Sequence, residues 1–174
     1  MHLATLRSVN RYNSYDEQCA MAKNIYTALE NGGILVSQIS SGSPAHCKMR
    51  REVMTLPSLR RGEPGQLYWT TPEEWTEILE SAGFTTRFVG CMIPNVWTLE
   101  DQWNRFNAKY EQETQVPAER ELLQRRRMEF LSDASAIFQQ YRMQYGDAWV
   151  QLEDRGGQTV LITYQPIFVS QKCT

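Results

Sequence analysis

Long apolar runs are missing from this chain, and nothing in it approaches the roughly 20 residues that a membrane span needs. Its opening, Met-His-Leu-Ala-Thr-Leu-Arg, lacks the basic-then-apolar order of a secretory leader. Cysteine is sparse and dispersed: Cys19, Cys47, Cys91 and Cys173 form no Cys-x-x-Cys pair, which sets a disulfide framework aside and implies reduced thiols in a cytoplasmic chain. Histidine is scarcer still. With only His2 and His46 present, the adjacent His46 and Cys47 have no partners of metal-ligand spacing. No strand is followed by Gly-x-Gly-x-Gly, so a phosphate or dinucleotide cradle has no glycines to build it. Excess positive charge is absent too; a net charge of −2 argues against general attraction to nucleic acid or anionic membrane.

What remains is ordinary for a globular domain: 174 residues, 41% hydrophobic and 22% charged, enough to bury a core. The organising stretch is residues 70–90. Thr71 stands at an N-cap, Pro72 at the first helical position, and Glu74 completes a capping box. Trp75, Ile78, Leu79 and Ala82 repeat on one face, Gly83 ends the helix, Phe84 folds back onto Leu79, and a strand follows over 85–92. Ser14 and Glu17 form a second box, starting a helix that stops at Asn31-Gly32-Gly33 before a strand over 34–40 with three adjacent aliphatics. Residues 41–66 are loop-rich, with a short helix near 47–54. Thr98 with Asp101 starts one further helix and Pro117 another, as an αα-hairpin inserted between strands. Residues 148–152 and 159–164 read as a hairpin turning at Gly156-Gly157, with Pro166 ending its regular pairing or marking an edge.

Two of these segments carry a resemblance. The run from Tyr68 through Thr70, Glu73, Glu74, Leu79 and Ala82-Gly83-Phe84 resembles the late helix-and-strand unit of class I S-adenosylmethionine-dependent methyltransferases. Upstream, Leu29-Glu30-Asn31-Gly32-Gly33-Ile34-Leu35-Val36 is similar to that family's turn into its fifth strand, with Asn31 in place of the usual proline. The resemblance implies an α/β fold, a partial Rossmann-like sheet made of the family's later strands. It also divides the chain into an N-terminal arm (1–13), an α/β part (14–92), a helical insertion or lid (97–146) and a C-terminal hairpin (147–170).

The family's cofactor-binding first half has no counterpart here, so the resemblance implies S-adenosylmethionine only for a complete enzyme, with no cofactor residue and no catalytic residue assigned in this chain. A truncated reading frame with Met1 as an internal start, a split enzyme completed by a separate N-terminal half, or self-association covering an unpaired edge would each account for that; the first is the leading expectation. The edge of the strand 34–40 and the bare faces of two helices are expected to be exposed, the alternative being that the arm around residues 3–9 folds back as a replacement strand. The same resemblance puts Arg7, Arg11 and Tyr12 after the family's fourth strand, Gln38 and Ser40 at the end of the fifth, and Tyr68 with Trp69 as an aromatic wall, all toward a small-molecule methyl acceptor. A non-enzymatic module that takes up a partner's strand is the alternative. A nucleic-acid role through the arginine clusters is weaker, since Arg125, Arg126 and Arg127 spread over about 200° of a helix.

Overall fold

The computed structural model describes residues 1–59 and 67–173; the expected loop glycines and arginines of 60–65 lie outside these. In chain order the elements are β1 (Leu3–Arg7), a 3-10 turn (Asn10–Tyr12), α1 (Tyr15–Ala28), β2 (Ile34–Gln38), α2 (Pro44–Met54), α3 (Pro72–Ser81) and β3 (Phe84–Trp97). There follow α4 (Leu99–Glu113), α5 (Pro117–Tyr145), α6 (Asp147–Val150), β4 (Leu152–Arg155) and β5 (Gln158–Lys172). The sheet runs β1-β2-β5-β3, with β4 pairing the start of β5. β1 and β2 are parallel, and β5 is antiparallel to both of its long neighbours.

The capping boxes read at Ser14 and Thr71 form, and Thr98 with Asp101 makes a third, each side chain accepting from the backbone three residues on. At Thr71 the hydroxyl accepts from Glu74 N at 3.1 Å and the Glu74 carboxylate accepts from Thr71 N at 2.8 Å. Thr71→Ala should therefore cost about 1 kcal/mol in a urea melt; a variant within a tenth of that from wild type would mean the cap is idle. Gly83, at φ +107°, ends α3 beside the Tyr26 ring, where a Cβ would come within 2.9 Å of ring carbon.

Several expectations change. The N-terminal arm follows the alternative, a replacement strand: 3–7 pair in register with 34–38, and the N-terminal amine meets Glu30 at 2.7 Å. So short a strand suffices because only Ala4 and Leu6 are turned toward the core, while Leu3, Thr5 and Arg7 face outward. β2 is thus flanked on both sides; the edge expected there belongs to β1 instead, and β3 forms the opposite edge of the sheet. Residues 147–150 form one helical turn, α6, not a strand; the hairpin proper joins β4 to β5 through Gly156 (φ +57°) and Gly157 (φ +79°). Pro166 sits inside β5. It is tolerated because it falls one residue past the last β2 pair, Gln38 with Ile167, and its carbonyl still accepts from Ile39 N at 3.2 Å.

The core lies in two parts. One packs α1 and α3 onto one face of the sheet, through Ala22, Leu35, Ile39, Trp75, Leu79 and Phe168. The other joins α2, α4 and α5 around Met49, Val53, Trp69, Trp103, Phe130 and Phe138. The helices thus have covered faces, contrary to the expectation of bare ones. What is open is the sheet's other face along β1 and β2, where Leu3 is 56% and Ile34 37% exposed, and β2 is buried on one side only. Among the described residues no side chain of this face between 34 and 38 belongs to either apolar cluster.

Candidate functional site

At the carboxyl end of β1 the chain turns sharply. Ser8 takes φ +51°, a left-handed conformation that a non-glycine residue adopts at a cost, and its N–H donates to Gln38 O at 2.7 Å. The 3-10 turn then pulls Asn10 and Arg11 inward. Asn10, fully buried, donates to Thr70 Oγ1 at 2.9 Å, and Arg11 O accepts from Tyr68 N at 3.2 Å, so the turn is fixed to the segment that leads into α3.

This places Arg11 against the end of β2, where it donates to Ser40 Oγ at 2.9 Å and to the Tyr12 hydroxyl at 3.0 Å. Arg7, Ser8, Arg11 and Ser40 line a cleft of about 270 Å³ together with Arg50 from α2, Arg105 from α4, Asn95 and Trp97 from β3, and Thr163 and Gln165 from β5. Gln38 joins through Gln165, whose side-chain carbonyl accepts from Gln38 Nε2. Tyr12 stands at the rim and accepts from Arg105 at 3.1 Å. Arg105 also lies over the Trp97 ring, 5.6 Å from its centroid.

Positive charge dominates this space. Among the described residues none of Arg7, Arg11, Arg50 and Arg105 has a carboxylate partner. Burial pushes the Arg11 pKa below the ordinary guanidinium value, with Tyr12 partly offsetting. Burial likewise lowers Arg50, and Arg11 adds to the shift. The Tyr12 pKa is lowered too: partial burial would raise that of a phenol, but the charges of Arg11 and Arg105 hold it below the ordinary value.

Of the seven residues expected at a substrate site, Arg7, Arg11, Ser40, Tyr12 and Gln38 come together around this cleft. Trp69, 1% exposed, forms a buried wall behind it, its ring 5.3 Å from the Arg50 guanidinium. Tyr68 does not line the cleft. Its hydroxyl donates to Glu74 at 3.0 Å and its ring stacks under Arg51 at 3.5 Å, so it belongs to the α3 cap. Arg50, Arg105, Thr163 and Gln165 were not singled out by sequence. Arg50 had a readable signal: with His46, Cys47, Val53 and Met54 it occupies the buried stripe of α2 at i, i+3, i+4 spacing.

Elsewhere, His46 is fully buried and its Nδ1 donates to Val150 O at 3.0 Å. Among the described residues no group of three metal-ligating side chains occurs. Arg126 donates to the carbonyls of Pro57 and Ser58, and Arg127 pairs with Glu100 at 2.6 Å, so two members of that basic run serve the helical layer. Among the described residues no helix is long and apolar enough to cross a membrane.

Among the described residues, the turns at Gly32-Gly33, Gly42 and Gly156-Gly157 do not fit an S-adenosylmethionine cradle. Gly32 and Gly33 lie at the amino end of β2, and Gly156 and Gly157 form the hairpin turn. Gly42 does follow the carboxyl end of a parallel strand, yet the space above it is filled, since a Cβ there would meet Gln151 Oε1 at 2.4 Å and the His46 ring at 2.5 Å.

No family model and no curated protein matches the sequence. Solved structures do match in shape. A candidate methyltransferase from Bacillus halodurans superposes with a TM-score of 0.68 at 16% identity over 99% of this chain and 70% of its own. The YcgJ protein from Bacillus subtilis gives 0.65 at 10% identity, over 100% of this chain and 64% of its own. The mycolic acid cyclopropane synthase CmaA1, solved with S-adenosylhomocysteine, gives 0.50 at 12% identity, over 99% and 55%. The chain thus spans between about half and about two thirds of these proteins' lengths. The fold is the Rossmann-like α/β fold of class I methyltransferases, represented by the order β1-β2-β5-β3 with β5 reversed.

Proposed function

We propose that this chain is the substrate-side half of an S-adenosylmethionine-dependent methyltransferase, a fragment or split subunit with the cofactor supplied by a separate N-terminal half. One observation carries the reading. The arginine-lined cleft opens at the carboxyl ends of two parallel strands, at the sheet edge where the family's cofactor-binding strands would join. The solved structure of CmaA1 with S-adenosylhomocysteine supports that choice of cofactor for the complete enzyme. Arg7, Arg11, Tyr12, Gln38 and Ser40 then hold a small-molecule acceptor, with Trp69 as the wall behind. Their contribution is alignment: fixing an acceptor beside a methyl donor is worth several kcal/mol of barrier, up to about 7–11 in well-oriented cases. Four free cysteines suit a cytoplasmic setting.

The free edge of β1 also fits the second reading, a non-enzymatic module that takes up a partner's strand or a second copy of itself. That reading leaves the arginine cleft without a role. The test is to trace the transcript for a segment encoding a Gly-rich strand–loop–helix, co-express it with this chain, and titrate S-adenosylmethionine by calorimetry. Binding by the pair and none by this chain alone is expected. One-to-one micromolar binding by this chain alone would sink the split-site reading, and a pair that forms yet does not bind would sink the methyltransferase reading.

A further inference from the structure

We infer that the cleft is an oxyanion site, taking the carboxylate or phosphate group of a small molecule, with Arg50 at its floor, Arg11 and Arg105 at its sides and Arg7 at its rim. As a statement of substrate class this rests on the methyltransferase reading; as a binding site it does not.

The first ground is an imbalance of charge. Arg50 is 6% exposed, and its one polar contact among the described residues is a donation to Thr163 Oγ1 at 3.4 Å. A guanidinium taken out of water is costly unless a counter-charge meets it. Among the described residues, every element around the cleft was in a position to supply that counter-charge, and none does. The 3-10 turn brings Arg11 and Tyr12, β3 brings Asn95 and Trp97, α4 brings Gln102 and Arg105, and β5 brings Thr163 and Gln165.

The second ground is independent of charge. Arg50 Nε, Gln102 Nε2 and Trp69 Nε1 are buried without hydrogen-bond partners. All three are donors, and their residues border one small void next to the cleft, with room for no more than about one water. Arg50 borders both this void and the cleft, so a ligand in the cleft that only accepts hydrogen bonds meets the shortage of acceptors from the Arg50 side. An ionised carboxylate or a phosphate is such a ligand, and the planar fork of arginine matches either one bidentately. A cleft of about 270 Å³ admits such a group on a small molecule and excludes a nucleic-acid duplex.

The experiment uses the chain as it is, without cofactor. Sodium phosphate and sodium benzoate are titrated separately against sodium chloride at matched ionic strength, following tryptophan fluorescence, since Trp69 and Trp97 border the site. A saturable response to one of the two anions is expected, and whichever saturates names the group. Arg50→Met and Arg105→Gln should each weaken it at least tenfold, while Arg125→Gln, at an exposed position, leaves it unchanged. Arg50→Met should also unfold at equal or higher urea, because it removes a buried cation that lacks a counter-ion; a purely structural arginine would do the reverse. Arg105→Gln, on an exposed residue, keeps the test open should Arg50→Met not fold. A wild-type response no different from chloride, or variants that bind like wild type, overturns the proposal. Neither result depends on methyl transfer, so failure of the methyltransferase reading and failure of this one are seen separately.

Discussion

Replacing Trp75 by alanine is expected to remove about 3–5 kcal/mol of stability, enough to leave most small domains partly unfolded. Trp75 is fully buried at the centre of the layer that holds α3 on the sheet, among Leu35, Ile39, Leu79 and Phe168. Truncation leaves a cavity the width of an indole between a helix and a sheet, two elements too stiff to close over it. A polar cost adds to this. Trp75 Nε1 donates to Ser37 Oγ at 3.0 Å, and Ser37 is itself fully buried, so the variant also strands a hydroxyl. Trp75→Phe separates the two effects, since it keeps most of the volume and loses only the hydrogen bond, about 1 kcal/mol. Urea melts decide the matter. A Trp75→Ala midpoint close to wild type would mean that α3 is not seated on the sheet as described.

The second large effect is loss of stability in mild acid, traced to His46. Burial, first, and then the nearby Arg50 charge push its pKa from 6.5 down to about 3, against the opposing hydrogen bond to Val150. The ring is therefore neutral in the folded chain, while in the unfolded chain it takes up a proton as the pH falls through 6.5. The stabilisation is complete above that value and is lost progressively below it. Between pH 7 and pH 5, before most carboxylates titrate, the loss amounts to about 2 kcal/mol. His46→Asn, whose amide can donate to the same carbonyl, should flatten this dependence. Denaturation midpoints that fall equally with pH in both chains would exclude His46 as the source.

Local signals carried the helices and tertiary ones did not. The starts of α1, α3 and α4 are written in three or four consecutive residues, because a capping box closes its own hydrogen bonds without help from the rest of the chain. β1 gave no such signal. It buries two small-to-medium side chains and exposes three, so its existence depends on β2, some 30 residues away, supplying partners. The turn at 147–150 reads as a strand because Ala148, Trp149 and Val150 are apolar in succession, yet Val150 N donates back to Gly146 O at 3.3 Å and closes a single helical turn. In the cleft, Arg7, Arg11 and Ser40 were within reach of the sequence because they lie close to strand ends that the resemblance located. Arg50 and Arg105 were not, since each comes from a helix interior where a charged residue is ordinarily solvated; only the apolar neighbours of Arg50 on its own stripe mark it as different.

The open edge of β1 has a direction as well as a location, and symmetry makes that direction matter. Two copies meeting edge to edge about a two-fold axis must run their β1 strands antiparallel. The two arginine clefts would then sit at opposite ends of one continuous sheet, each out of reach of anything the other copy carries on its own strand ends. A strand docking parallel to β1, as β2 already does on its other side, has its carboxyl end beside Arg7. The polarity of whatever strand occupies this edge therefore decides whether the chain builds one composite site or two isolated ones.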